Sequence, residues 1–209
     1  VQEIRPLLEQ RGFAVPGRPG VRLKTLTDVF AYAAAEGIEL RIDGTEVQVR
    51  RPAAHKPGRR AFVSGKKKQN TAKFTIISDE AGRLLWQGAF RPGRMHDVTA
   101  LRTEGIEDQL RLHPDAKAKV DSGDQGLARD FPDQVSAPPK KPGKDASPEE
   151  ISAWKTARKA QSASRICVEH AIAEPKQWRS MQRWISRREN FAPSARAIAG
   201  LVSDRSAIR

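Results

Sequence analysis

From Glu39 to Val49 the chain has the composition of a strand. Leu40, Ile42, Val47 and Val49 supply its apolar and β-branched side chains. One acid, Asp43, stands where the flanks predict an apolar or neutral residue. Asp43-Gly44 is also a hairpin-type dipeptide, so a turn there is the alternative. Two more strands follow. Residues 71–78 carry Phe74, Ile76 and Ile77, and residues 84–90 come after a turn at Glu80-Ala-Gly82. Three strands in succession predict an antiparallel meander.

The period then lengthens. Val98, Leu101, Ile106 and Leu110 predict a helix from His96-Asp97 to about Leu112, with Asp97 as N-cap and Gly105 able to divide it. Residues 116–120 form a short fourth strand ending at Asp121, followed by a Gly-containing turn to Gly126. Residues 136–149 are rich in Pro and Lys and predict a loop. Ser147-Pro148 opens a helical region through Trp154 to about Trp178, with a candidate break at Ser162–Ser164. A last short helix covers residues 192–201.

In front of the first strand, residues 1–12 predict a short helix stopped by Gly12, and residues 15–20 a rigid Pro/Gly connector. A second helix covers Thr25 to Gly37, with Leu26, Val29, Phe30 and Ala33 as its apolar stripe. Residues 1–38 therefore form an N-terminal helical segment ahead of a main domain at 39–209. Element order makes that domain α/β. Three meander strands, a crossover helix and a further strand follow the order of a ribonuclease H-like mixed sheet flanked by helices, a reading that rests on analogy.

Charge narrows the function. The 209 residues carry a net charge of +13, which points to a polyanion, most often nucleic acid. Cys167 is the only cysteine, so no internal disulfide and no cysteine zinc cluster forms. That suits a reducing cytosol. No apolar run approaches the roughly 18 to 20 residues of a membrane span.

Against this basic background three acids stand out. A parallel pairing of the first and fourth strands brings Asp43 beside Asp121. Glu169 sits on the long helix, on a polar face with Arg165 before it and Lys176 after it. Two aspartates and a glutamate suit Mg²⁺, which prefers hard oxygen ligands. Two such ions about 3.5 to 4 Å apart activate a nucleophile and stabilise a leaving oxygen in phosphodiester cleavage. Clustered acids without a cation raise one another's pKa.

Five blocks carry a resemblance. Ile42-Asp-Gly-Thr-Glu-Val47, Ser64-Gly-Lys-Lys-Lys68, Pro92-Gly-Arg-Met-His-Asp97, Val120-Asp-Ser-Gly-Asp-Gln-Gly-Leu127 and Val168-Glu-His-Ala-Ile172, with Lys176-Gln-Trp-Arg179, stand in that order. The stretch from about 40 to 205 resembles bacterial insertion-sequence DDE transposases of the Harbinger-like branch. The resemblance implies a ribonuclease H-like catalytic core. Its triad would be Asp43, Asp121 and Glu169, holding two Mg²⁺ or Mn²⁺ ions, with Asp97 as a candidate fourth ligand or helix cap. It implies DNA strand cleavage and strand transfer on double-stranded DNA, both transposon ends and target. The candidate DNA contacts are Arg59, Arg60, Lys66, Lys67, Lys68, Arg94, Lys140, Lys141, Arg165, Lys176 and Arg179. Such proteins generally act as homo-oligomers on DNA, and a cytoplasmic, nucleoid-associated location is expected.

Two departures bear on competence. Asp124 stands where the family usually has an aromatic residue, and Pro175 lies six residues beyond Glu169. The family also usually places a helix-turn-helix domain ahead of the core, of which residues 1–38 would be the end. A truncated or decayed remnant that binds DNA without catalysis is therefore the alternative.

Overall fold

A computed structural model of the chain describes residues 4–55 and 58–208. The N-terminal segment holds α1 (Ile4–Gln10), β1 (Phe13–Ala14), β2 (Arg22–Leu23) and α2 (Leu26–Glu36). Residues 1–3 of the expected first helix lie outside the described residues. α2 has the predicted caps. Thr25 Oγ1 accepts from Asp28 N, the Asp28 carboxylate accepts from Thr25 N, and Gly37 closes the helix at φ 66°. Its buried residues are the four of the apolar stripe, Leu26, Val29, Phe30 and Ala33.

The main sheet has seven strands. β3 (Glu39–Val49), β4 (Thr71–Ser78), β5 (Leu84–Gln87) and β6 (Arg91–Pro92) form its antiparallel part. The third predicted strand, 84–90, is thus shorter than expected: it ends at Gln87, and β6 begins just beyond its predicted end. After α3 (Asp97–Glu104) and α4 (Ile106–Leu112), β7 (Lys117–Lys119) joins β3 in parallel. α5 (Gln125–Asp130) leads to β8 (Val135–Ser136), parallel to β7. Then come α6 (Pro148–Lys176), α7 (Arg179–Gln182), β9 (Arg183–Trp184), parallel to β3, and α8 (Phe191–Ala207). The path across the sheet runs β5-β4-β3-β7-β8. This is a mixed α/β sheet flanked by helices, with the expected meander at one side and parallel strands at the other.

Three local expectations change. β3 runs straight through Asp43-Gly44, which pair with Ile76 and Thr75 of β4, so no hairpin turn forms there. α6 is unbroken at Ser162–Ser164 and ends one residue after Pro175. Pro175 therefore closes the last turn rather than kinking a longer helix. His96, not Asp97, is the N-cap of α3, since His96 is extended at φ −64°, ψ 147° and Asp97 is already helical.

The core is continuous. Phe13, Leu23 and Phe30 of the N-terminal segment share one buried cluster with Ile42, Phe74 and Ile76 of the sheet and Val168 and Phe191 of the late helices. Every residue of β4 is buried, as expected of a strand covered on both faces. Val168, Ala171 and Pro175 make the buried stripe of α6. The helix comes close to the β4–β5 turn at Gly82, whose φ is +78°; a β-carbon there would lie 2.8 Å from the Cys167 carbonyl oxygen.

Ser203 of α8 links both ends of the molecule. Its hydroxyl donates to Leu84 O at 2.9 Å and accepts from Ala14 N at 2.9 Å. Ser203→Ala leaves both backbone groups without that partner and should cost about 1 to 3 kcal/mol. In thermal melts Ser206→Ala, which loses only a bond to Ser203 O, should fall less; an equal or smaller drop for Ser203→Ala would refute the linking role.

Candidate active site

The site starts from strand register. Arg41 of β3 lies opposite Lys119 of β7, the last pair of the parallel ladder. Asp43 and Asp121 each stand two residues further on, so the two carboxylates emerge side by side. Arg165 of α6 then joins them. Its Nη2 lies 2.8 Å from Asp43 Oδ2 and its Nη1 2.8 Å from Asp121 Oδ1. One planar guanidinium thus serves both acids, a geometry its rigid fork allows.

The sheet fixes where Arg165 sits. Arg41, 5% exposed, donates from Nε to Ser164 O at 3.1 Å. Period two along β3 turns Arg41 and Asp43 the same way, and both reach α6. Arg41 holds the helix backbone, and Asp43 meets the next side chain. A charged residue two positions before an acid in an apolar strand was the signal for this role.

Glu169 is one turn beyond Arg165. On an ideal helix it lies about 40° around the axis from Arg165, away from the buried stripe. It is exposed and makes no hydrogen bond or ion pair among the described residues. As the side chains stand, no three His, Cys, Asp or Glu among the described residues are grouped to hold a metal ion. The structure brings Asp43 and Asp121 together and leaves Glu169 beside them, unengaged.

Two further acids crowd the pair. Asp97 accepts from Lys73 Nζ at 2.6 Å, and Lys73 itself is buried, with Glu46 at 3.8 Å on its other side. A β-carbon on Gly44 would meet Asp97 Oδ1 at 3.4 Å, and one on Gly123 would meet Oδ2 at 3.5 Å. Asp97 therefore lies between the loop after Asp121 and the residue after Asp43. Asp124 is 2% exposed, and its Oδ1 has no hydrogen-bond partner. An acid at this position could either face solvent or crowd the candidate metal site, and the short 3₁₀ turn after Asp121 folds it inward, toward the acids.

Burial and charge set the titration of these groups. Desolvation, then the charges of Asp97, Asp43 and Asp121, push the Asp124 carboxyl up to about 7. Desolvation also raises Asp43, against the opposing pull of Arg165. Lys176 is lowered, first by burial and then by Lys67 beside it.

The candidate DNA contacts fall in several places. Lys176 lies near Asp43, Glu46 and Lys67, and Lys67 donates from Nζ to Glu46 O at 3.5 Å. Lys140 and Lys141 line a groove with Asp121 and Arg165. Lys66 and Lys68 are exposed in the turn before β4, and Arg60 is exposed in the turn Arg59–Phe62, where Arg59 is half-buried. Arg94, also exposed, is tied to that turn by its N–H on Ala61 O at 3.0 Å. Arg179 is exposed at the start of α7. His96 is exposed and makes no side-chain cap bond.

Asp124 gives a pH test. Its folded carboxyl holds the proton up to about pH 7, against an ordinary value of 3.8. The folded state then binds more protons than the unfolded chain, so stability falls as pH rises between those values. Asp124→Asn removes this loss. The difference in melting temperature, variant minus wild type, should grow between about pH 5 and pH 8. A difference that is flat or shrinks across that range contradicts the assignment.

The geometry is that of an acid pair, one within β3 and one just past the end of its parallel neighbour β7, with a helix-borne cation across it and a glutamate one turn further. Comparison with curated proteins and with solved structures gave no match. The family model of the DDE superfamily endonucleases matches residues 42–202, most of the chain and all five blocks. The chain belongs to the DDE superfamily endonuclease family.

Proposed function

We propose that this chain is the catalytic core of a transposase that cleaves and joins DNA strands with Asp43, Asp121 and Glu169 as its triad. One observation carries the reading: Asp43, within β3, and Asp121, two residues past its parallel neighbour β7, stand side by side, held by a residue one helical turn from Glu169. The fold is then of the ribonuclease H-like kind, and its relatives would be insertion-sequence transposases of the Harbinger-like branch.

DDE endonuclease domains generally use divalent metals, and the donors here suit one. The available ligands are carboxylate oxygens, and Asp124 adds a buried oxygen without a partner. Among the described residues the three acids Asp43, Asp97 and Asp121 meet Arg165 and Lys73 as contacting cations, which leaves a negative surplus. Asp43, Asp121 and Glu169 would hold Mg²⁺ or Mn²⁺, two ions in this reading, with Asp97 as a further candidate. Such an ion supplies positive charge at the scissile phosphate and makes water more acidic.

The chain's own groups do the rest. Lys67 and Lys176 would hold backbone phosphates near Asp43, and Arg165, once released from the acids, would do the same. Lys73 holds Asp97 in place by a 2.6 Å ion pair. Asp97 would thereby stay oriented beside the reacting strand.

One observation favours the second reading, a remnant that binds DNA without cutting it. The Arg165 fork is committed to both aspartates, and Glu169 is not engaged. Nicking of supercoiled plasmid separates the two. The proposed enzyme should nick with Mn²⁺ or Mg²⁺ and stop in EDTA. Asp43→Asn and Asp121→Asn should drop to the EDTA level, while Asp108→Asn, on an exposed surface pair with Arg111, should keep full activity. Equal nicking by all variants would sink the triad.

Phosphate binding has its own readout. Replacing Lys66, Lys67 and Lys68 by Ala should reduce the slope of log affinity against log salt by about 2 to 3, if each lysine meets a phosphate of duplex DNA. An unchanged slope would remove this turn from the interface.

A further inference from the structure

A groove of about 580 Å³ opens directly from Asp121, between residues 138–141 and α6. Lys140, Lys141 and Arg158 stand in its wall, and Arg165 closes it toward the acids. Lys140, Lys141 and Arg158 make no ion pair among the described residues, and the only acid in the lining is Asp121. The groove therefore calls for an anion.

It also calls for a flat one. Trp154 forms part of the wall, its Nε1 donating to Pro139 O at 3.1 Å. The Arg158 guanidinium sits over the Trp154 ring, 5.3 Å from its centroid. An indole and a guanidinium at one wall provide planar surfaces on which a base stacks. Gln161 also lines the groove, and its buried Nε2 lacks an acceptor, as does Arg165 Nε. Two unpartnered N–H groups suit the carbonyl or phosphate oxygens of a nucleotide.

Size decides between paired and unpaired DNA. The volume lies within the ~300 to 1,000 Å³ of small-ligand pockets, too little for a base-paired segment. A nucleotide must leave its stack to enter. Its source is set by position, because Asp121 belongs both to this wall and to the acid pair.

We propose that this groove takes one unpaired nucleotide of the strand whose phosphate lies at Asp43 and Asp121. The inference rests on the DNA-processing reading above and adds what that reading does not contain: a strand opened beside the site. Trp154 supplies the stacking surface, Arg158 backs it, and Lys140 and Lys141 meet the adjoining phosphates.

Affinity of the full chain for labelled DNA, measured in EDTA so that nothing is cut, tests this. Two substrates share one sequence, a blunt duplex and a fork with a short unpaired arm. The fork should bind about tenfold tighter, the scale of one stacked base. 2-Aminopurine in the unpaired arm should lose fluorescence on binding, which requires no variant. Trp154→Ala should bring the fork down to the affinity of the duplex and leave the duplex unchanged. Trp154→Phe keeps a ring but loses the N–H on Pro139 O, and should retain most of the preference. Equal binding of fork and duplex by the wild-type chain overturns the proposal while leaving the endonuclease reading intact. Equal loss in the Phe and Ala variants also overturns it, since Trp154 would then only anchor the loop. Absence of binding to either DNA would overturn both readings together.

Discussion

Two like charges held side by side, one within β3 and one just past β7, are unstable unless something opposes them, and here that something is Arg165. Its two terminal nitrogens each take one aspartate at 2.8 Å. Most of the surrounding structure serves to put it there. The β3–β7 register aligns the acids, Arg41 binds the helix backbone at Ser164, and Val168, Ala171 and Pro175 press the following turns into the core. Arg165 lies at the edge of that buried stripe and Glu169 about 40° past it. The same helical geometry that commits the arginine leaves the glutamate exposed.

The ring of partners around the pair is uneven. Asp97 has a short ion pair with buried Lys73, whereas Asp124 has an oxygen with no partner at all. A buried carboxyl in that position takes up a proton in preference to adding a fourth negative charge. Proton occupancy at Asp124 therefore depends on whatever cation the pair receives, since a nearby positive charge favours the ionised form.

Much of this was legible in the residues. The meander, the parallel fourth strand, the capped α2 and the Ser147-Pro148 start of α6 follow from period, caps and turn chemistry, which are local. So does the juxtaposition of Asp43 and Asp121 once β7 is placed beside β3. What could not be read was contact across elements. That Arg165 bridges two aspartates could not be read, because its distance to two strands is a tertiary fact. Which way Asp124 faces was open, because a one-turn 3₁₀ segment decides it. Lys73 hid as the one charged residue of a strand buried on both faces. β8, β9 and the β1–β2 pair, two residues each, are too short to leave a period. Asp97 was misplaced by one position, as helix ends commonly are, because His96 keeps extended backbone angles.

Gly82 carries a consequence that reaches beyond its own turn. It lets the backbone of α6 approach where any β-carbon would collide with the Cys167 carbonyl, and its φ of +78° disfavours other residues too. The distance between the helix and the strands, and so the meeting of Arg165 with two aspartates, depends on a residue with no chemistry of its own. A gene copy altered only at that codon would still spell all three acids and would pass any census that counts them. Among duplicated and drifting copies, damage of this kind would be invisible in the motif and plain in the backbone.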